Sequence, residues 1–525
     1  MNEQHPNRDY DLSTPITSTS GLRQGLTSYG DAHFSLFLRK VFIKALGYSE
    51  DALSRPIVGI INTFSGFNPC HANVPQLIEA AKRGVQLNGG LAIEFPTISV
   101  AESFSHPTSM FLRNLMSMDT EEMIRAQPLD ACIMIGGTCG VMGTASTMAC
   151  IAAALGMMPL RGASAPAISS ARLRIAEETG ANAVAIAKSQ RKPQEILTKE
   201  SFWNAITVLQ AIGGSTNAIV HLLAIANRHP ELQGVITLDT IEEIGRKTPL
   251  LIDLKPSGDN YMNDFHNAGG MMALLQVLRP LLHLSAVTIT GQTLGEVLDA
   301  SHSKRLSFAQ QIIRPMSDPL FPASSLAVLR GNIAPDGAVL KASASKYREL
   351  LSHTGPAVVF ENSADLARRI DDPALVVTKD SVLVLKNIGP IGNPGMPEAG
   401  LIPIPKKLAK EGVKDMLRLS DGRMSGTAGG TIILHISPEA ALPESLFGVV
   451  ETGDLITCNI EARKLHLEVS EPVLQARVDK RKQILAGETQ ARKQRRGYRG
   501  LYERSVNQAQ DGADFDFLTA RGASA

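Results

Sequence analysis

Cysteine is scarce in the sequence, and the few cysteines form no pattern. The chain has five among its 525 residues, and none of them lies in a CxxC motif. Proteins held together by disulfides carry a dense, paired set of cysteines. We therefore exclude a disulfide scaffold and expect the thiols to be reduced.

A surplus of charge of either sign is also missing. Lys and Arg number 52, Asp and Glu number 51, and the net charge at pH 7 is +1. Proteins that bind nucleic acid or an anionic membrane through their overall field carry many more charges of one sign. The balance therefore argues against nucleic acid or a membrane as a partner.

No apolar run is long enough to cross a membrane. The longest run, residues 148–160, has 13 residues and contains a glycine and a proline, whereas a spanning helix needs about 20 apolar residues. The first residues, MNEQHPNRDYDLSTP, are polar and partly acidic, unlike a secretion signal or a transit peptide. We expect a soluble protein of the cytoplasm.

The first 300 residues alternate between short apolar runs and helical patterns. Aromatic residues are few, at 5%, while 44 glycines and 29 prolines supply many tight turns. The predicted strands are residues 57–61, 91–98, 130–135 and 183–187, and the predicted helices include 74–87, 110–126 and 143–155. This alternation predicts an N-terminal α/β/α domain built on a parallel sheet.

The pattern changes after about residue 315. Short alternating runs such as AVLRGNIAPDGAVLK and DLITCNIEARKLHLEVS are separated by Gly, Pro and Asp, which predicts a β-barrel-like domain. We therefore predict an α/β protein with three parts. They are a flexible lead-in over residues 1–30, an α/β domain that binds the cofactors over 31–315, and a β-barrel domain with a helical tail over 316–525.

Two cysteines follow predicted strands and precede predicted helices. Cys70 lies in NTFSGFNPCHAN, and Cys139 lies in IGGTCGVMGTAST. The dipole at a helix N-terminus lowers the pKa of a thiol, which suits a nucleophile or a metal ligand. A structural thiol at Cys70 is an equally open interpretation. Around Cys139, spacing alone favours a plain strand-to-helix turn over an anion-binding loop. Cys132, Cys150 and Cys458 lie in apolar surroundings and are expected to be core thiols.

Three further side chains carry oxygen atoms in loops rich in small residues. Glu102 follows a predicted strand and is either a ligand for a divalent cation or a surface carboxylate. Glu398 lies in NIGPIGNPGMPEAG, and Ser425 follows Arg423 in SDGRMSGTAGG. No His–Asp pair accompanies Ser425, so a conventional catalytic triad is not indicated, and a serine base activated by a metal stays open.

These motifs together resemble the dihydroxy-acid and sugar-acid dehydratase family. The resemblance covers nearly the whole chain in the same order, through NTFSGFNPCHAN, EFPTISVAES, TCGVMGTASTMAC, AIGGSTNAIVHLLAIA, IGNPGMPEAG and SDGRMSGTAGG. It is closer to the pentonate and arabinonate dehydratases than to the branched-chain amino-acid enzyme.

The resemblance implies the loss of water from a 2,3-dihydroxy acid to give a 2-keto-3-deoxy acid. It also implies a homodimer or homotetramer, an iron–sulfur cluster of the 2Fe-2S type, and Mg²⁺. Matched to the family motifs, Cys70 and Cys139 are cluster ligands and Glu102 and Glu398 are magnesium ligands. Ser425 is the base that takes the proton from C2.

One family motif is interrupted in this sequence. In the family, the strand that ends in Ile-Gly-Gly is followed by Cys-Asp-Lys-Thr, which supplies a third cluster cysteine, a magnesium aspartate and a lysine that becomes carbamylated. Here Gly137 is followed directly by Thr138 and the Thr-Cys-Gly motif. The resemblance therefore implies a labile cluster and weakened metal binding.

We expect a hydro-lyase acting on a sugar acid or another dihydroxy acid. The alternative is a non-catalytic homologue or a truncated gene product. A shortened paralogue, an error in gene prediction or splicing, and an engineered deletion each explain the direct join. Only the active enzyme needs iron, sulfide and magnesium, so their content distinguishes these interpretations.

Overall fold

The computed structural model describes residues 21–24, 26, 30–137, 140–301 and 310–521. Most of the predicted lead-in, residues 1–30, lies outside this part, and so does Cys139. The predicted division at residues 315 and 316 stays a prediction.

The α-helices of the described residues are α1 (Ala32–Ala45), α2 (Val74–Leu87), α3 (Arg113–Ala126), α4 (Thr144–Ala154), α5 (Ser170–Ser189), α6 (Pro193–Ile196), α7 (Lys199–Ala211), α8 (Asn217–Asn227), α9 (Leu238–Gly245), α10 (Met262–Asn267), α11 (Gly270–Leu278), α12 (Leu294–Ala300), α13 (Ser363–Arg369), α14 (Lys406–Lys410), α15 (Glu471–Gln494) and α16 (Gly497–Ser505). The strands are β1 (Ile57–Asn62), β2 (Leu91–Pro96), β3 (Ala131–Met134), β4 (Ala327–Gly331), β5 (Ala334–Leu340), β6 (Ser352–Phe360), β7 (Val382–Leu385), β8 (Arg418–Ser420), β9 (Ile432–Ser437), β10 (Leu455–Asn459) and β11 (Lys464–Leu467).

The N-terminal part is built on a parallel sheet with the strand order β2-β1-β3. β1 is the central strand, and its run IVGII is buried because both of its faces are covered. Helices α2 and α5 pack together on one face, and their apolar side chains meet Val58 and Ile60 of β1 and Ile133 of β3. The parallel sheet predicted from the alternating pattern is confirmed.

The C-terminal part is a closed eight-stranded barrel. Its strands follow one another in the order β10-β11-β4-β5-β9-β8-β7-β6. Strands β6, β7, β8 and β9 are parallel to their neighbours in this row. At its two ends, β5 pairs antiparallel with β9 and β10 pairs antiparallel with β6. The predicted barrel is confirmed, and its interior is filled by apolar side chains such as Leu340, Val384 and Ile433.

Helices fill the region of the chain between the sheet and the barrel. Helix α7 is buried along almost its whole length, with Phe202, Ile206 and Leu209 fully enclosed. It packs against α4 and α9. The apolar side chains of these helices form one buried cluster with Val328 and Val339 of the barrel strands β4 and β5. The helices and the barrel therefore share a hydrophobic core.

Two predictions about local structure are wrong. Residues 183–187 were expected to form a strand, but they belong to helix α5, because Ala183 and Val184 are the small apolar side chains that face α2. Cys132 was expected in the core, but it is an exposed residue whose thiol is only partly desolvated, which raises the pKa of the thiol. β3 is an edge strand, and the described residues cover only one of its faces, so Met134 is also 52% exposed.

The other thiols agree better with the sequence. Cys150 and Cys458 are buried, as expected. Crossing a bilayer would take a longer and more apolar helix than any in the described part of the chain.

Candidate active site

Cys70 lies where β1 and β3 of the sheet end. It belongs to a short 3₁₀ turn, Pro69–His71, directly before α2, and its thiol is exposed. The neighbouring His71 fixes this turn, because Nδ1 lies 2.8 Å from the carbonyl oxygen of Thr63 and Nε2 accepts the N–H of Gly137 at 3.1 Å. The imidazole therefore donates from Nδ1 and ties the turn of Cys70 to the chain leaving β3.

Glu102 lies beyond the carboxyl end of β2, in the 3₁₀ turn Glu102–Phe104. Its carboxylate accepts the hydroxyl of Thr108 at 2.6 Å and the backbone N–H of Ser109 at 2.9 Å. Burial alone would raise the pKa of Glu102, but these hydrogen bonds and the charge of Arg423 hold that pKa below its usual value. Glu102 is therefore held as an anion.

Glu398 lies in the segment between β7 and α14 of the barrel. It accepts the amide Nδ2 of Asn217 at 2.7 Å. Burial, aided by the negative charge of Glu102, raises the pKa of Glu398, although Arg423 opposes the shift. The side-chain oxygen Oδ1 of Asn217 is buried without a hydrogen-bond partner among the described residues, so an unsatisfied oxygen lies beside this carboxylate.

The two carboxylates meet at a single guanidinium group. Arg423 Nη1 is 3.3 Å from Glu398 Oε1, and Nη2 is 3.8 Å from Glu102 Oε1. The Arg423 side chain is only 5% exposed, and its Nε donates to the carbonyl of Met396 at 2.7 Å. In the sequence, Arg423 stood out only as a neighbour of Ser425.

A glycine explains how residues from the two halves of the molecule come together. Gly395 has φ +93°, and a Cβ there would lie 2.4 Å from Thr108 Cγ2 and 2.5 Å from the backbone nitrogen of Phe111. The segment that carries Glu398 can therefore dock against the segment that holds Glu102 only without a side chain at this position.

Ser425 is half-buried two residues after Arg423, and its hydroxyl lies 2.9 Å from that of Thr427. The next residue, Gly426, approaches the start of α4 closely. A Cβ there would lie 2.7 Å from Ser215 Oγ and 2.9 Å from the backbone nitrogen of Thr144. The loop that carries Ser425 therefore packs on the same polar residues that support Asn217 and Glu398.

Several supporting residues were missed by sequence analysis. Asn217 and Thr144 hydrogen-bond each other at 3.0 Å, and Thr144 also contacts Ser215 at 3.0 Å. The motif AIGGSTN contains two of these three residues and could have indicated them, because it places polar side chains where helix α8 begins. His71 carried a signal too, since it directly follows Cys70.

The arrangement provides oxygen donors and one cation. In the described part of the chain, no three His, Cys, Asp or Glu side chains converge as a metal site. Glu102, Glu398 and the amide oxygen of Asn217 are nonetheless the donor types that Mg²⁺ prefers, and Mg²⁺ is commonly bound by one or two carboxylates with water and substrate.

Comparison with known proteins agrees with the motifs. The N-terminal model of the dihydroxy-acid/6-phosphogluconate dehydratases matches residues 55–137 and 136–297, and the C-terminal model matches residues 311–513. The chain belongs to this dehydratase family. Its enzyme class is therefore that of the dehydratases, which are hydro-lyases, as the resemblance implied.

Relatives in the family cover almost the full length of the chain. A 6-deoxy-6-sulfo-D-gluconate dehydratase of Pseudomonas putida is 38% identical over 90% of this chain and 92% of its own. An L-arabonate dehydratase of Azospirillum brasilense is 38% identical over 93% and 95%. A dihydroxy-acid dehydratase of Caldicellulosiruptor saccharolyticus is 31% identical over 90% and 97%.

Proposed function

We propose that this chain removes water from a 2,3-dihydroxy sugar acid, with Mg²⁺ bound by Glu102 and Glu398, to give a 2-keto-3-deoxy acid. The observation that carries the proposal is the meeting of these two carboxylates, one from each half of the chain, at Arg423. The names of the relatives that act on sulfogluconate and arabonate support a sugar acid as substrate.

The residues present fit magnesium. Two carboxylates lie close enough to share one guanidinium group, and the partnerless oxygen of Asn217 adjoins Glu398. A bound Mg²⁺ would supply positive charge that orients the carboxylate and the 2-hydroxyl of the substrate. Arg423 balances the two glutamates from the barrel side, which limits their mutual repulsion.

Ser425 is the proposed base. Its hydroxyl oxygen, as an alkoxide, would take the proton from C2, and the bond from C3 to its hydroxyl oxygen would break. The departing hydroxide would take this proton from Ser425 and leave as water, which restores the alkoxide. The enol would then lose the proton of its 2-hydroxyl and gain one at C3 to become the 2-keto acid. Thr427 can donate a hydrogen bond to this oxygen at 2.9 Å.

The described thiols do not fit an iron–sulfur cluster on their own, and no step is assigned to one. Such clusters need several cysteine ligands, but Cys70 is the single described thiol in the loops at this end of the sheet, since Cys132 lies on a strand face. Cys139 lies outside the described residues. We propose that the cluster site is incomplete in this chain because the Cys-Asp-Lys-Thr segment is missing.

The comparisons support a gap in the chain. The N-terminal family model matches in two pieces that meet at residues 136 and 137. The alignment with the Azospirillum brasilense relative spans 565 positions, more than the 525 residues of this chain, so some of its positions have no counterpart here.

Magnesium binding and turnover test the proposal together. Mg²⁺ affinity of the purified chain would be measured by calorimetry, iron and acid-labile sulfide would be counted after anaerobic purification, and 2-keto acid formation would be followed with a panel of sugar acids. We expect Mg²⁺ binding, substoichiometric iron and slow formation of a 2-keto acid. Glu398→Gln should weaken Mg²⁺ binding at least about tenfold, because a ligand is lost.

The exposed Glu411→Gln is the matched control, and it should bind Mg²⁺ like the unchanged chain. Absence of Mg²⁺ binding and of any keto-acid product would contradict the proposal and favour a non-catalytic homologue. Stoichiometric iron and sulfide would contradict the incomplete cluster site.

A further inference from the structure

Two carboxylates are fully buried behind the candidate active site. Asp421 follows β8 and Glu439 follows β9, and both are 0% exposed. A buried carboxylate is costly unless hydrogen bonds replace its water. The groups that donate hydrogen bonds to these two carboxylates therefore show which segments the carboxylates hold in place.

Asp421 joins three segments of the chain. Its Oδ1 accepts the backbone N–H of Ile388 at 2.9 Å, and its Oδ2 accepts the backbone N–H of Ala440 at 2.8 Å. Asp421 also lies two residues before Arg423 in the loop that leads to Ser425. One carboxylate thus links that loop to the segment that carries Glu398.

Glu439 holds the same segment at a second point. Its carboxylate accepts the backbone N–H of Ile391 at 2.9 Å and that of Gly392 at 2.7 Å. It also accepts a hydrogen bond from the side-chain amide Nε2 of Gln508 at 2.8 Å. At Gly389 a Cβ would lie 2.6 Å from Glu439 Cβ, so the backbone wraps closely around this side chain.

We name residues 387–400 the Glu398 loop. Its first part is held by Asp421 and Glu439, and its last part is held by Arg423, which donates Nε to Met396 and accepts the N–H of Gly400 at 2.7 Å through its own carbonyl. Strands β7 and β8, between which the loop runs, are parallel neighbours. Glu398 itself therefore depends on anchors at both ends of a long irregular segment.

We infer that Asp421 and Glu439 are positioning residues that set the placement of Glu398 relative to Arg423 and Ser425. The inference deepens the proposed function and rests on it for the role of Glu398. The two carboxylates touch neither of the proposed magnesium ligands in these contacts, and they act through the backbone of the Glu398 loop.

Hydrogen exchange of the Glu398 loop tests the inference without any cofactor. In the unchanged chain, the amides of Ile388, Ile391 and Gly392 should be protected although they belong to no helix or strand, and rapid exchange there would overturn the inference. Asp421→Asn and Glu439→Gln keep the size of the side chain but turn one acceptor oxygen into a donor. Each should speed exchange in the loop by about tenfold, the loss expected for one buried hydrogen bond.

Glu242→Gln is the matched control. Glu242 also accepts a backbone N–H with its carboxylate, that of Val328 at 3.0 Å, but it lies on α9 away from the Glu398 loop. Its substitution should lower the melting temperature without speeding exchange in the loop. Equal exchange in the loop for all three variants would mean that Asp421 and Glu439 only stabilise the fold.

Mg²⁺ affinity then separates the two proposals. If the unchanged chain binds Mg²⁺, the Asp421→Asn and Glu439→Gln variants should bind it at least about fivefold more weakly, whereas Glu242→Gln should bind it equally well. Equal affinity in all variants would overturn the positioning role. If the unchanged chain binds no Mg²⁺, the proposed function fails, while the exchange result still decides whether the two carboxylates hold the loop.

Discussion

At the scale of single residues, the two glutamates of the candidate site differ because their neighbours differ. Glu102 receives a hydroxyl and a backbone N–H, which favour its charged form, whereas Glu398 is more deeply buried and receives a single amide. Their pKa values therefore shift in opposite directions. Glu102 therefore stays charged, whereas Glu398 takes up a proton more easily. Such a pair suits a site where a bound cation determines how much negative charge the two carboxylates carry.

Thiol reactivity should separate the cysteines by environment. Burial raises the pKa values of Cys150 and Cys458 to about 12, so both remain thiols near neutral pH. Cys70 and Cys132 are exposed residues, although partial desolvation raises the pKa of the Cys132 thiol and should slow its labelling. Iodoacetamide at pH 8, followed by peptide mapping, should label Cys70 and Cys132 in the folded chain and leave the two buried thiols unlabelled. Rapid labelling of Cys150 without unfolding would contradict the packing around α4.

Asp421 should make stability depend on pH. Burial, reinforced by the charge of Glu439, raises the pKa of Asp421 to about 7, compared with about 3.9 in an unfolded chain. Between these values the folded chain holds a proton that the unfolded chain has lost, so this group's contribution to stability falls as pH rises. Asp421→Asn cannot ionise, and its melting temperature should therefore lie further below that of the unchanged chain at pH 5 than at pH 8. A gap that widens with rising pH would contradict this assignment.

At the scale of elements, helices α2 and α5 approach each other through glycines. A Cβ at Gly84 would lie 2.0 Å from the carbonyl oxygen of Glu177, and one at Gly180 would lie 2.3 Å from that of Ala81. Both of these partners are backbone atoms, which cannot rotate away. The close approach lets the two helices form one layer against the sheet.

Alanine at either crossing glycine should destabilise the fold. Gly180→Ala forces the helices apart and should lower the free energy of unfolding by about 1–3 kcal/mol, as overpacking does elsewhere. Gly487→Ala is the control, because Gly487 lies in helix α15 and has nothing within 4 Å of a new Cβ. It should raise stability by up to about 1 kcal/mol. Denaturant unfolding would measure both changes, and a neutral Gly180→Ala would show that the crossing is not tight.

Sequence patterns predicted the elements better than their meeting points. Helix α2 begins and ends where its apolar spacing predicted, because that spacing reflects the face it buries. The Ala-rich end of α5 looked like a strand because short apolar runs fit either structure when both faces are covered. The meeting of Glu102 and Glu398 at Arg423 could not be predicted from spacing, since it depends on the fit of Gly395 against Phe111 from the other half of the chain.

At the scale of the whole molecule, the direct join after Gly137 lies next to a sheet that the described residues cover incompletely. β3 ends three residues before the join, it is an edge strand, and Cys132 and Met134 on it are exposed. Parallel sheets in α/β proteins are normally covered on both faces. The open face is therefore where we expect a segment that follows β3 to pack in family members that have one.

Grafting such a segment between Gly137 and Thr138 should cover this face. The graft would carry the family residues Cys-Asp-Lys-Thr, and it should slow iodoacetamide labelling of Cys132 by about tenfold or more, because burial restricts access and raises the pKa of the thiol. If the proposed cluster site is correct, it should also raise iron and sulfide per chain, since it would restore a third cysteine to that site. A Gly/Ser linker of equal length is the control and should change neither quantity. If the grafted chain folds but Cys132 is labelled as fast as before, the missing segment does not pack on the open face of β3. Another segment or another molecule would then have to cover that face.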